Sequence, residues 1–447
     1  MLENFQREYN VNRVYLSIIG FWPFQTKFVR NFLQTFCFLL NMSYIFFEIT
    51  MLHDYWNNPQ IIFDCILQMA VSLGMVGRQA NEFWNRDKVR FYYSVLHSLF
   101  LLSYVYCGIT LFRPNMLNCF HVCCDQLRWL YQAIDEHWNI FTDDVEVRIM
   151  KDYSMVSRKF VKYYSKVMCS IIVILILIPL IPLLLDIVMP LNEPRPRSFA
   201  VEINEIRMNK EDHFLLIFCY TSAIIVVVTL TVLGLDAMHV ACTAHACSLF
   251  AAVSKQIENI TSKANNKYIN EIGECKYGMY MKLDPLNEEI IYREYILCLK
   301  KHQLAIEFVN ILDSSYQGIA LLLLMLLLII ISVIAVRIVY MLNQVEEVVK
   351  YIGIFLAGLI ALMIVSYSGQ RLMDESQSIF RQAYAAEWYM FSPRLKSLLI
   401  ITLYRSNRPC GLKAGNMIPL SIATYAAVCK MRKTVKFYAI IHTHYTY

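Results

Sequence analysis

The chain has 447 residues, 57% of them hydrophobic and 17% charged, with a formal net charge of +6 and a mean hydropathy of +0.43. Those proportions exclude an ordinary soluble domain, and aromatics at 14% suit a chain with rings at bilayer interfaces. Basic residues flank apolar runs and form no continuous stripe of the kind that binds nucleic acid.

Residues 1–27 carry acids and polar groups where a signal peptide would carry an apolar core, so insertion is expected to rest on the first span. In chain order, the candidate spans are 28–52, 61–80, 167–189, 214–240, 318–340, 351–372 and 417–441. Each holds roughly the 20 residues that about 30 Å of hydrocarbon requires. An eighth run, 95–112, is interrupted by His97, Tyr104, Tyr106 and serines. Loop charge decides against it. Arg78, Arg86, Lys88 and Arg90 follow the second span, and Arg148, Lys151, Arg158, Lys159, Lys162 and Lys166 precede the third. Both clusters fall on the cytoplasmic side only if an even number of crossings separates them. The fold class is therefore an all-α membrane protein. It is expected to have seven transmembrane helices, a cytoplasmic N-terminus, an extracellular C-terminus and a cytoplasmic helical anchor domain.

The expected outer loops 53–60, 190–213 and 341–350 contain none of the fourteen cysteines, which read as reduced packing residues. Neither Asn41-Met-Ser nor Asn259-Ile-Thr lies in such a loop, so neither sequon reads as glycosylated. His239, Cys242, His245 and Cys247 have the residue types of a metal site, but helical spacing spreads them over too wide an arc. They read as satisfied polar residues, and no metal or other cofactor is expected. No nucleophile–base constellation or nucleotide-binding motif is present, which excludes the common enzyme classes. Pro179 and Pro182 interrupt the third span without an inverted repeat elsewhere, against a secondary transporter. The segment 236–317 is helical in character with balanced charge, and a short helix is expected over 384–405 before Pro409 and Gly411.

Three stretches carry a family pattern: LKKHQLAIEFVNILDSSYQG around His302, GQRLMDESQSIFRQAYAAEWY over 369–389, and LYRSNRPCGLKAGNMIPLS over 403–421. As an ordered set they resemble the C-terminal half of an insect odorant receptor. The related gustatory receptors end in Thr-Tyr-x5-Gln-Phe, whereas Thr424-Tyr425 here leads to Met431-Arg432, so a gustatory-type channel is the alternative. The expected orientation, and the absence of Asp-Arg-Tyr and Asn-Pro-x-x-Tyr motifs, set a G-protein-coupled receptor further back.

The resemblance implies a subunit of a heteromeric, ligand-gated, non-selective cation channel in the plasma membrane of a sensory dendrite. Its partners would be an odorant co-receptor subunit in a hetero-tetramer, a small hydrophobic odorant and the lipid bilayer. The chain lacks the co-receptor's long insert between helices four and five, and so resembles the ligand-tuning subunit. Residues 1–372 would form helices one to six with their extensions, and 373–447 the anchor helix and the pore helix. Ligand walls would come from outer turns: Ile62, Cys65 and Met69; Ile178 and Leu184; Phe218, Tyr220 and Ser222; and Tyr351, Phe355 and Gly358. Tyr384, Trp388 and Tyr389 would anchor the subunit, with Trp388 and Tyr389 expected to be buried. Thr434, Tyr438 and Ile441 share a helix face with Lys430 and would line the pore and gate. Two stretches depart from the family pattern, 91–129 and 432–447, as translated intron sequence would.

Overall fold

The computed structural model describes residues 3–56, 59–83, 123–189, 213–274, 285–340, 345–386 and 388–430. Its helices are α1 (Glu3–Ile18), α2 (Lys27–Asp54), α3 (Pro59–Phe83), α4 (Cys123–Ile140), α5 (Asp144–Leu177), α6 (Ile181–Val188), α7 (Phe214–Glu274), α8 (Pro285–Tyr340), α9 (Val345–Ala385) and α10 (Pro393–Ser406). A last helix, α11, occupies 422–430. Short strands β1 (Lys413–Ala414) and β2 (Ile418–Pro419) pair antiparallel, with Lys413 opposite Pro419.

Five described segments are long and apolar enough to cross a bilayer: Lys27–Asp54, Asp144–Val188, Phe214–Lys263, Glu288–Ile334 and Tyr351–Ala385. A shorter apolar stretch, Asp64–Gly77, lies within α3. The first six expected spans thus fall on described helices. The run 95–112 and the residues beyond 430 lie outside the described residues, and only 123–129 of the stretch 91–129 are described, as the start of α4.

Helix length explains the architecture. The 61 residues of α7 and the 56 of α8 make rods of roughly 90 Å and 84 Å at 1.5 Å per residue, nearly three times the hydrocarbon thickness. Each must therefore continue well past its apolar stretch. Those continuations, expected from the sequence of 236–317, pack with α1, α4, the first half of α5 and α10 into the main hydrophobic core. Phe5, Leu130, Phe141, Phe250, Phe308 and Leu312 are completely buried there.

The core is tied by polar contacts that cross between helices. Asp135 of α4 accepts hydrogen bonds from the backbone N–H groups of Asn4 (3.0 Å) and Phe5 (3.2 Å), satisfying two donors at the start of α1. Glu8 accepts from Ser154 at 2.8 Å and pairs with Arg158 at 3.4 Å on α5. Lys301 of α8 donates to both oxygens of Glu146 on α5, at 2.6 and 2.7 Å, with the ammonium 4.9 Å from the Phe141 ring centroid.

Three expectations are corrected. The helix expected over 384–405 is two elements: α9 runs on to Ala385, and a new helix starts at Pro393. Pro393 cannot donate a helical N–H, and Ser392 caps the new start by accepting from the Leu395 N–H at 3.4 Å. The helix expected from residue 417 begins at 422, because Ile418 and Pro419 are taken up in the β-ribbon. Trp388 and Tyr389, expected to be buried, are 46% and 60% exposed in the single chain, since they sit on the 3₁₀ turn between α9 and α10.

Candidate ligand cavity

A cavity of about 400 Å³ lies between α3, α5, α7, α8 and α9, with Tyr44 of α2 at its edge. That volume suits a small organic molecule. Along α7 it extends from Ile224 to His239, about 22 Å of helix. Its walls are almost wholly aliphatic: Leu67 and Met75 on α3, Met168 and Ile171 on α5, Val228 and Val232 on α7, Leu323 and Leu327 on α8. Small residues make the room and set the approach of neighbours. A Cβ at Gly358 would stand 3.1 Å from Leu327, and one at Gly74 would stand 3.5 Å from Leu326.

Polar groups mark the two ends of the cavity. At one end Tyr351 of α9 donates to Asp64 of α3, and Tyr44 donates to Gln68. At the other, Asp236 accepts from Tyr164 at 2.8 Å, and His239 pairs with Ser368 at 3.2 Å. Ser368 spends its own hydroxyl hydrogen on the Val365 carbonyl at 3.0 Å, so it accepts from His239 Nε2–H. A ligand in this space meets dispersion along most of its length, with Ser72 and Thr229 the polar residues between the two ends.

Of the residues assigned to the ligand walls from sequence, Tyr351 and Gly358 line this cavity. The others lie elsewhere. Ile62, Cys65 and Met69 pack against Met51 and Leu52 of α2. Tyr220 shares a hydrogen bond with Ser43 at 2.7 Å, Phe218 stacks on Phe214, and Ser222 is half-buried on the same helix. Ile178 is buried in the 3₁₀ turn created by Pro179, and Leu184 is exposed. Phe355 packs beside Leu67, Ile334 and Tyr351. Along α7 the open volume starts at Ile224, within two turns of those outer residues, and continues toward His239. Sequence reasoning followed aromatic and polar residues near the helix ends. The available signal was the small-residue spacing of Ala70 and Gly74, and of Gly358 and Ala361.

Sequence reasoning also missed Leu420. It lines the cavity and is buried. The β-ribbon fixes it there. Its N–H donates to the Leu412 carbonyl at 2.9 Å, Gly415 N–H donates to Gln317 of α8 at 2.9 Å, and Lys413 N–H donates to Asp313 at 2.7 Å. Gly415 and Asn416 both hold positive φ, +60° and +62°, the left-handed turn that reverses the ribbon. Ser421 follows at once and caps α11, accepting from the Thr424 N–H at 3.3 Å.

The 7tm odorant receptor family model matches residues 99–432. The chain belongs to the odorant receptor family. Curated relatives from Drosophila melanogaster include putative odorant receptor 92a, 28% identical over 23% of this chain and 25% of that one. Odorant receptor 10a is 22% identical over 44% of this chain and 45% of its own. The chain thus aligns with less than half the length of these relatives. In fold it is similar to the insect olfactory receptor OR5 from Machilis hrabei in complex with eugenol, with a TM-score of 0.65 at 12% identity, covering 98% of this chain and 99% of that one.

In this odorant receptor family member, the polar ends of the helices carry a second group of chemistry-bearing residues. His137 of α4 and His245 of α7 stack with ring planes 5° apart and Nδ1 to Nε2 at 3.1 Å, and the Phe308 ring meets both edge-on. Burial pushes the His137 imidazole down to about 4. A neutral pair allows one ring to donate to the other, whereas two imidazolium ions would offer only donors. His239 and His245, two of the four residues weighed as a metal set, therefore each have protein partners. Asn41, in one of the two sequons, is buried in α2. Thr434, Tyr438 and Ile441 lie outside the described residues.

Proposed function

We propose that the chain is a ligand-tuning odorant receptor subunit of a heteromeric, ligand-gated, non-selective cation channel, and that the cavity bounded by Tyr351, Gly358 and Leu420 holds the odorant. The observation that carries this reading is the position of Leu420. It lines the aliphatic cavity and stands two residues before α11, so a ligand that displaces Leu420 would act on that helix through a very short lever. Residues 417–441 would then contribute the pore, with Thr434, Tyr438 and Ile441 at its gate. The polar ends of α7, α8 and α9 with α10 would form a cytoplasmic anchor for assembly with a co-receptor subunit in the plasma membrane. Tyr384, Trp388 and Tyr389 would contribute to that anchor. The N-terminus would face the cytoplasm and the C-terminus the outside.

The test is co-expression with a co-receptor subunit, with membrane current recorded against a panel of small apolar volatiles. Eugenol, bound in the OR5 structure, serves as the first probe. Ligand-evoked cation current, abolished by the cavity-filling change Ala361→Phe with surface expression intact, supports the reading. Current that depends wholly on G-protein coupling, or substrate uptake without current, overturns it. Tags at the two termini should be accessible from opposite faces, and tags on one face would defeat the seven-span topology.

A further inference from the structure

Helix α5 presents one uninterrupted exposed stripe that changes chemistry along its length. Lys159, Tyr163, Lys166, Ser170, Val173, Ile174 and Leu177 lie within an arc of about 100° on the helix, at the 3- and 4-residue spacings of a single face. All are exposed, Tyr163 by 68%. Lys162 joins the basic end from one side. Above Lys166 the stripe is aliphatic and lies in the segment long enough to cross a bilayer. From Lys166 down to Lys159, three ammonium groups and a phenol fall within eight residues, about 10 Å of helix.

The charge pattern separates these lysines from the other cations nearby. Arg158 is paired with Glu8, Lys301 with Glu146 and Arg371 with Glu375. Lys159, Lys162 and Lys166 have no carboxylate partner among the described residues, and Lys166 instead lies 5.9 Å from the Tyr163 ring centroid. Asp152 is exposed on the same face, a further seven residues, about 10 Å, below Lys159. Because α5 is unbroken from Asp144 to Leu177, the height of the lysines relative to the aliphatic stripe is fixed. Acyl chains covering Val173, Ile174 and Leu177 place their own headgroups at Lys166, Tyr163 and Lys159. A tyrosine at that level is the usual interfacial anchor.

We propose that Lys159, Lys162, Lys166 and Tyr163 form a docking surface for the anionic headgroups of the adjoining leaflet, selecting phosphatidylserine-type or phosphoinositide lipids over zwitterionic ones. The proposal rests on the membrane reading above for the height of the bilayer, and not on any odorant response. Each lysine near an anionic surface contributes roughly fivefold in partitioning, so three together favour an anionic lipid by up to about a hundredfold at low salt, less as salt screens them.

The test uses the purified full chain in bilayers of phosphatidylcholine containing trace spin-labelled phosphatidylserine or spin-labelled phosphatidylcholine. The fraction of each probe immobilised at the protein is measured, a readout that needs neither odorant nor channel activity. The wild type should hold phosphatidylserine in several-fold preference. The triple change Lys159→Gln, Lys162→Gln, Lys166→Gln should abolish the preference, while Lys159→Arg, Lys162→Arg, Lys166→Arg should keep it. Equal selectivity in the wild type and the Gln variant overturns the proposal, as does loss in the Arg variant. A Lys162→Cys variant that crosslinks to a second copy of the chain also overturns it, because the stripe would then be a subunit contact. Absence of odorant-evoked current in a protein that still selects phosphatidylserine counts against the channel reading alone.

Discussion

The carbonyl oxygen of Leu420 lies against the backbone of Gly369, so closely that a Cβ at position 369 would stand 2.1 Å from it. The obstructing atoms are backbone, which cannot swing aside as the end of a side chain can. Gly369 of α9 therefore sets the seat of Leu420, and with it the start of α11. Gly369→Ala must push the ribbon off α9, and overpacking of this kind costs roughly 1–3 kcal/mol. The expected result is a lower unfolding temperature with odorant-evoked current lost or replaced by basal current. Normal stability together with a normal dose–response curve would show that the seat is not needed.

The Lys301–Glu146 pair offers a cleaner energetic test, because both side chains are almost fully enclosed, at 7% and 3% exposure. Lys301→Met strands a carboxylate between α5 and α8, and breaking such a pair costs about 3–5 kcal/mol. Replacing both partners with methionine should recover most of that loss, since two buried charges are removed along with their attraction. Thermal unfolding of the purified single and double variants measures it. A double variant as unstable as the single would mean that the ion pair itself stabilises the core.

Histidine stacking gives the polar-end core a pH dependence whose sign is fixed. Burial lowers the folded-state His137 value to about 4, below the ordinary imidazole value near 6.5. Below about 6.5 the unfolded chain takes up a proton that the folded chain refuses, so stability falls with pH between about 6.5 and 4, by up to about 3 kcal/mol. Above that window the contribution is fully present. His137→Phe should flatten the dependence in unfolding midpoints recorded from pH 7.5 down to 5, and an unchanged slope would assign the effect to other groups.

Much of the architecture was legible because helix length and apolar runs are local properties. The long helical continuations of α7 and α8 followed from the balanced charge of 236–317, and the break in α5 from Pro179 and Pro182. The cavity was not legible in the same way. It depends on which faces of five helices converge, and α8 and α9 are apolar nearly all round along these stretches, so hydropathy does not pick a face there. Gly358 and Tyr351, named from the sequence, line it, whereas Leu420 was hidden because PLS reads as the start of a span and the β-ribbon holding it is made by backbone contacts to Gln317 and Asp313. Trp388 failed for a related reason: a large aromatic in a polar segment reads as core, whereas the 3₁₀ turn between α9 and α10 leaves it 46% exposed in the single chain.

That exposure changes what a substitution at Trp388 should do. Tyr389, its ring 6.2 Å from that of Trp388, is exposed too, as are Tyr384 and, on the outer face of α10, Ile400, Ile401 and Tyr404, the last 83% exposed. The opposite face of α10 is already engaged, with Leu395, Leu399, Thr402 and Ser406 turned into the core and Thr402 hydrogen-bonded to Tyr295 at 3.0 Å. The single subunit therefore gains little from Trp388. Trp388→Ala should change its unfolding free energy by less than about 0.5 kcal/mol. In an assembly where the patch is covered, a central aromatic of this kind is worth about 2 kcal/mol or more per interface. The expected phenotype is a normally folded subunit that assembles poorly with its co-receptor, while the channels that do form keep their ligand preference. Native mass measurement of the co-expressed complex, beside thermal unfolding of the isolated subunit, separates the two effects. A destabilised subunit would return Trp388 to the core of the chain, and normal assembly with normal stability would leave the aromatic patch without a role in subunit contact.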